Sequence, residues 1–138
     1  MEWVVGQGEF NKFGVNSVSI SNHMSLKRIV IGDECFGKVR VLELDGLSEL
    51  ESIVIGKNSF TYAKTYDDIW YHVTRTDGVY RIVNCPKLNS IQIGYRSFSD
   101  YHSFELSNLP SLQSIDIDEY CFYYASSFSL TGLIDWLV

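Results

Sequence analysis

The chain has 138 residues, enough for one domain that buries a hydrophobic core without disulfides or a structural metal. Hydrophobic residues make up 46% of it and charged residues 20%, a composition that argues against a disordered tail. The formal net charge is −6, so nucleic acid and anionic membrane surfaces, which attract clustered Lys and Arg, are poor partners. The sequence has no run of about 20 apolar residues, so no membrane-spanning helix is predicted. No signal peptide is visible, so the default expectation for location is the cytoplasm.

A short pattern recurs five times along the chain. In each copy a glycine, or an aspartate in the last, is followed four residues later by a phenylalanine. The pairs are Gly6/Phe10, Gly32/Phe36, Gly56/Phe60, Gly94/Phe98 and Asp118/Phe122. The motif L-x-x-I-x-I precedes the last four copies, and its leucines are spaced by 24, 38 and 24 residues. A constant period of 24, interrupted by an insertion at residues 61–79, predicts one solenoid domain over residues 1–138.

Each copy reads as one coil of that solenoid. The I-x-I steps, such as Ile29/Ile31, alternate with period two and are β-branched, which predicts short strands. Stacked coils align these strands in a parallel sheet at a spacing of about 4.8 Å. The following glycine permits a sharp turn, either because it lacks a Cβ or because it tolerates positive φ. The phenylalanine then points inward, which predicts a stacked phenylalanine column.

A second apolar pattern in each coil, as in Leu42-x-Leu44, predicts a short strand on the opposite side. No segment carries a helical stripe over several turns, so few or no helices are expected. The segment Leu130–Val138 is the one candidate for a short terminal turn.

The unit L-x-x-I-x-I-x-x-x-x-F resembles a leucine-rich repeat, and more closely the BspA-like (Treponema pallidum-type) class, whose units combine L-x-x-I-x-I with x-[AS]-F. This resemblance covers the chain outside residues 61–79. It implies a mostly β, right-handed solenoid with a parallel sheet on one face. It also implies a protein-binding module, often at cell surfaces of bacteria or protists, without chemistry. The family's usual turn position holds asparagine in one copy, Asn58, whereas the other copies carry Glu34, Arg96 and Tyr120.

Two surfaces are candidates for binding a protein partner. By strand alternation the outer face of the sheet presents Arg28, Gln92 and Asp116, on a nearly flat surface with few aromatic anchors. In the insertion, Ile69–Thr74 and Val79–Val83 are predicted strands, and Asp77-Gly78 is a hairpin turn signal. Such a hairpin carries side chains of the types that dominate interfaces, or packs them on its neighbours. They are Tyr62, Tyr66, Trp70, Tyr71, His72, Arg75 and Tyr80.

The cysteines are not grouped for chemistry. Cys35 and Cys121 share a repeat position but lie three coils apart, roughly 14 Å, which is beyond the reach of a disulfide. Cys85 fills a leucine position of the repeat. Small buried side chains are therefore expected, and no zinc site.

Histidines and acids also favour structural roles. His23 fills a leucine position and is expected to be half-buried, and the serine and aspartate neighbours of His102 lack the arrangement of a catalytic triad. Asp116 and Asp118 share one face of a strand, but no acidic ladder repeats in the other coils. A solvated face is therefore favoured over a Ca²⁺ site.

These patterns predict a non-catalytic protein–protein interaction module with no catalytic residue, metal or cofactor. The alternative is a right-handed β-helix that binds or cleaves polysaccharide, because the Asp116/Asp118 pair and exposed aromatics suit sugars. The apolar segments Trp3-Val4-Val5 and Trp136-Leu137-Val138 lie at the two ends of the array. They predict either a fragment of a longer array, for which a cell-surface location is open, or ends that cap themselves or form a homo-oligomer.

Overall fold

The computed structural model of the chain describes residues 1–12, 14–61, 77–123 and 125–133. Within these ranges all regular structure is β, and no helix of a length and apolarity that crosses a membrane occurs there. The strands are β1 (Glu2–Val5), β2 (Ser17–Ser21), β3 (Arg28–Ile31), β4 (Val41–Asp45), β5 (Ser52–Ile55), β6 (Val79–Val83), β7 (Ser90–Ile93), β8 (Ser103–Ser107), β9 (Ser114–Ile117) and β10 (Ser127–Thr131).

The strands form two parallel sheets that face each other across the core. Sheet A has the order β1-β3-β5-β7-β9, and sheet B has the order β2-β4-β6-β8-β10. Equivalent repeat positions lie side by side, so Ile29 pairs with Ile53 in sheet A and Leu42 with Tyr80 in sheet B. The chain is therefore a β-solenoid of five coils of about 24 residues, which confirms the predicted fold class and the second strand of each coil.

The phenylalanine column runs through the interior between the sheets, as predicted. Phe36, Phe60 and Phe98 are buried, with ring centroids 4.9 and 4.6 Å apart. Phe10 extends the stack on one side at 4.9 Å, and Phe122 extends it on the other at 5.2 Å. Because each stacked pair adds about 0.5–1.5 kcal/mol beyond area burial, the column ties each coil to the next.

The coil corners decide between the two roles considered for glycine. Gly56 and Gly94 do not adopt positive φ, which occurs instead at residues such as Arg96 (φ 62°) and Phe98 (φ 56°). Glycine is required because a Cβ at Gly94 would lie only 2.6 Å from the carbonyl carbon of Gly56 in the preceding coil. The left-handed conformation costs a residue with a side chain roughly 1–2 kcal/mol. This left-handed conformation turns the phenylalanine inward. In the same geometry the Phe98 N–H donates to the Ser59 carbonyl of the preceding coil at 3.1 Å.

Strand β6 changes the interpretation of the insertion. The predicted strand Val79–Val83 is present, but it pairs in parallel with both β4 and β8, so neither edge is open to a hairpin partner. The other predicted arm, Ile69–Thr74, lies outside the described residues. Tyr80 was expected on the hairpin, but it is completely buried and stacks on Phe104 at 5.1 Å, so it belongs to the core. The terminal turn predicted from Leu130 is also wrong at its start, because β10 continues to Thr131.

We expect Tyr80→Phe to stabilise the protein. The Tyr80 hydroxyl is buried without a hydrogen-bond partner among the described residues, and burial raises the pKa of this phenol above its usual range. Phe104 and Phe128 occupy the same column of sheet B, so a phenyl ring fits there. Removing the unsatisfied hydroxyl should raise the free energy of unfolding by about 1 kcal/mol, measured by urea denaturation at pH 7.

Tyr101→Phe is the matched control. The Tyr101 hydroxyl is equally buried, but it donates to the Val39 carbonyl at 2.7 Å. Its removal should therefore lower the free energy of unfolding by about 1 kcal/mol, the opposite sign. Equal destabilisation in the two variants would show that the Tyr80 hydroxyl does contribute a hydrogen bond.

Candidate partner-binding surface

Sheet A presents part of the predicted binding face. Gln92 and Asp116 lie opposite each other in β7 and β9, and both side chains are exposed. Arg28 is also exposed, but it lies on β3, two strands from β7, and its guanidinium approaches Glu2 at 3.8 Å. The structure therefore brings Gln92 and Asp116 together and leaves Arg28 apart from them.

A shallow depression of about 280 Å³ lies where the strands of sheet A end. Gly56 and Gly94 line it, together with the side chains of Lys57, Gln92, Asp116 and Asp118. The Asp118 carboxylate accepts the Glu119 N–H at 2.7 Å, so it also holds the following turn. The depression offers an amide and carboxylates above a flat backbone, which suits polar ligands or extended peptides.

The outer face of sheet B is different, because its charges are paired with one another. Arg81 on β6 donates to Glu43 on β4 at 3.3 Å and to Glu105 on β8 at 3.2 Å. Asp45 lies 3.8 Å from the same guanidinium. Cross-strand pairs of this kind stabilise the sheet, but a single arginine among the carboxylates of Glu43, Asp45 and Glu105 leaves this face acidic.

The described residues that flank the insertion are well anchored. Thr61 and Ser99 share a buried hydrogen bond of 2.7 Å between their hydroxyls. Arg40 donates to Asp77 at 3.1 Å and lies 3.5 Å from Asp100, whose side chain is completely buried. The predicted partner-binding residues within the insertion lie outside the described residues, so that part of the site stays a prediction. They are Tyr66, Trp70, Tyr71, His72 and Arg75.

Cys35 and Cys121 form hydrogen bonds between neighbouring coils. In the four coils after the first, the residue before the column phenylalanine donates to a glycine carbonyl one coil back, for example from Ser59 to Gly32 at 2.8 Å and from Cys121 to Gly94 at 3.0 Å. Cys35 lies in the same column, as predicted, and all three cysteines are free thiols. Burial raises the pKa of Cys121 to about 12, so its thiol stays protonated and able to donate at neutral pH.

The histidines have local partners as well. His23 is half-buried, and its Nδ1 accepts the Leu26 N–H at 3.0 Å, which closes a turn. His102 Nδ1 lies 3.0 Å from Ser126 Oγ in the next coil, whereas Asp100 faces Arg40. The neighbours of His102 in sequence therefore do not assemble around it. Among the described residues no group of three or more His, Cys, Asp and Glu side chains is placed to hold a metal ion.

The sequence reasoning missed an aromatic corner next to the depression, formed by Tyr95, Arg96, Tyr120 and Tyr123. The Arg96 guanidinium carbon lies 5.2 Å from the ring centroid of Tyr95 and 5.5 Å from that of Tyr120. The Tyr120 ring also packs beside Tyr123, which is exposed, at 5.5 Å. The available signal was the turn position itself, where neighbouring coils carry Arg96 and Tyr120 in place of asparagine.

The fold defines the chain as a β-solenoid with a polar sheet face and an aromatic corner. None of the family models, curated proteins or solved structures compared with this chain matches it.

Proposed function

We propose that the chain is a non-catalytic protein–protein interaction module of the leucine-rich-repeat type, in the BspA-like class that its repeat unit resembles. The observation that carries this proposal is the surface of the last two coils. There the exposed Gln92 and Asp116 adjoin a corner with three tyrosines and an arginine. Tyrosine and arginine are enriched at interface hot spots, and a rigid platform loses little entropy on binding. The insertion residues Tyr66, Trp70, Tyr71, His72 and Arg75, predicted from the sequence, are kept as a separate candidate for partner binding.

A second copy of the chain is the first partner that we propose. Strands β9 and β10 each have a neighbour on one side only within the described residues. Apolar side chains are exposed there and on the first coil, with Phe128 at 61%, Leu130 at 43% and Phe10 at 45% of full exposure. Open strand edges and apolar patches favour association. Contact with another copy gives hydrogen-bond partners to the N–H and C=O groups of the edge and buries the apolar side chains.

Light scattering coupled to size-exclusion chromatography over a concentration series tests this proposal. We expect a mass that rises above the monomer value of 15.8 kDa as concentration increases. The double variant Phe128→Ser, Leu130→Ser should shift this transition to at least tenfold higher concentration, because it makes the exposed end of sheet B polar. The variant Trp70→Ala, Tyr71→Ala should leave it unchanged.

The contrary outcomes identify other surfaces. Loss of association only in the Trp70/Tyr71 variant would assign the contact to the insertion. A constant mass near 15.8 kDa for the wild-type chain would contradict self-association and restrict the proposal to a different protein partner.

Carbohydrate binding or cleavage is the second candidate function. The observation that favours it is the depression that Gln92, Asp116 and Asp118 line together, since amides and carboxylates bind sugar hydroxyls. A glycan array tests binding and a reducing-sugar assay tests cleavage. Turnover that disappears in Asp116→Asn would favour this candidate over the interaction module.

A further inference from the structure

Arg96 is an unusual charged residue in this fold. Its side chain is nearly buried, with 8% of the residue exposed. Its Nε is enclosed and meets no hydrogen-bond acceptor in the described part of the chain. None of the ion pairs formed there includes it either. Arg40, buried to a similar degree, has the Asp77 and Asp100 carboxylates as partners.

The fold holds the Arg96 side chain in place. Arg96 is at a corner with φ of 62°, and its N–H donates to the Glu119 carbonyl of the next coil at 3.0 Å. Its guanidinium lies against the rings of Tyr95 and Tyr120, which themselves meet edge to face at 5.7 Å. Contacts with tyrosine rings stabilise a cation partially, but they leave the N–H donors of a guanidinium unused.

We infer that Arg96 is the receptor for a carboxylate that a protein partner presents, from an Asp or Glu side chain or a chain terminus. A nearly buried guanidinium without an ion-pair partner is costly, and a carboxylate at its terminal N–H groups supplies both the charge and the paired acceptors that match its planar shape. Tyr95 and Tyr120 supply the walls of this receptor site. This inference rests on the proposed function only where it assigns the carboxylate to a protein partner. The site itself can be tested without a partner.

A carboxylate fits this site better than a phosphate group. The described surroundings of Arg96 include the exposed acids Asp118 and Glu119, and the whole chain has a net charge of −6. A doubly charged free anion is repelled by such a field, and phosphate sites in proteins usually combine several cationic or N–H donors. A single negative charge held on a partner surface meets less repulsion and gains contacts with the tyrosines.

The test uses two capped peptides that differ in one charge, Ac-Gly-Glu-Gly-NH2 and Ac-Gly-Gln-Gly-NH2. The ¹H–¹⁵N NMR signal of the Arg96 Nε–H in the full chain is followed during each titration, at constant ionic strength. We expect a saturable shift with the glutamate peptide, and at least tenfold weaker binding of the glutamine peptide. The shift should disappear in Arg96→Gln, while the amide spectrum shows that this variant is folded.

Other results would overturn the inference. Equal binding of the two peptides would show that the site does not select a carboxylate, and the absence of a saturable shift with both would show that it is no receptor. Tighter binding of inorganic phosphate than of the glutamate peptide would assign the site to a different anion. A negative result would leave the interaction module itself standing on its other surfaces, because the peptide titration tests only the Arg96 site.

Discussion

Replacing Phe98 with alanine should lower the free energy of unfolding by about 3–5 kcal/mol. The Phe98 ring is completely buried, with Phe60 and Phe122 stacked on its two faces at 4.6 and 5.2 Å. Tyr80 and Tyr101 pack edge-on against it at 4.9 and 4.8 Å. Truncation therefore leaves a cavity that is held open by two sheets and by both neighbouring coils. The backbone strain at this position is common to phenylalanine and alanine, so the loss reports the ring.

Phe10→Ala is the control within the same column. Phe10 has the same left-handed backbone, but among the described residues it stacks only on Phe36, and it is 45% exposed. Truncation of this half-exposed ring loses about half of the transfer free energy of a fully buried phenylalanine, and no enclosed cavity forms. The free energy of unfolding is therefore expected to fall by about 1 kcal/mol. Urea denaturation of the two variants and of wild type measures both values. A loss below about 1 kcal/mol for Phe98→Ala would contradict its central place in the column.

The period of the sequence predicts most of this fold. A residue type that recurs every 24 positions must occupy one place in each coil, so the inward Ile29/Ile31 steps and the phenylalanine column follow from arithmetic. The shared column of Cys35 and Cys121 follows in the same way. These predictions depend on which residues are equivalent and not on any detail of backbone conformation.

The corners could not be derived in this way. Positive φ at a phenylalanine contradicts its intrinsic preference, and only the surrounding coils impose it. A better signal was present at the other corner, where Asn22, Gly46 and Asn84 occupy one repeat position and all adopt positive φ. Asparagine and glycine are the residues that tolerate this conformation best, so their alternation marks it.

The candidate site is less predictable because it depends on side chains that the repeat does not constrain. Alternation places Gln92, Asp116 and Arg28 on the outer face, and the order of the coils puts Arg28 two strands from Gln92. The position of Arg96 between two tyrosine rings depends on corner geometry that no periodicity encodes. The proposed receptor residue Arg96 is therefore marked in the sequence by its departure from the repeat and not by agreement with it.

Gly94→Ala should be among the most destabilising small substitutions in the chain, with a loss of about 3 kcal/mol in the free energy of unfolding. Gly94 does not have positive φ, so its backbone accepts alanine and only space opposes the change. The added Cβ would lie 2.6 Å from the Gly56 carbonyl carbon and 2.9 Å from the Lys57 nitrogen. These backbone atoms can withdraw only if two coils separate, which lengthens the hydrogen bond from Gly94 to Ile55, now 2.8 Å.

Equivalent glycines in other coils provide the graded control. A Cβ at Gly32 would meet its nearest atom at 3.0 Å, and one at Gly6 would meet only the Glu9 carboxylate at 3.5 Å, an ordinary contact. Denaturation of the three variants should therefore rank Gly94→Ala as the most destabilised, Gly32→Ala as intermediate and Gly6→Ala as close to wild type. The terminal coil already carries Asp118 at this position, and its N–H bond to Ile93 is 3.0 Å. Asp118 is not an equivalent test of the spacing, because its described neighbours lie on one side only, whereas Gly94 lies between two coils. Equal stability of the three variants would show that this row of glycines does not limit the spacing of the coils.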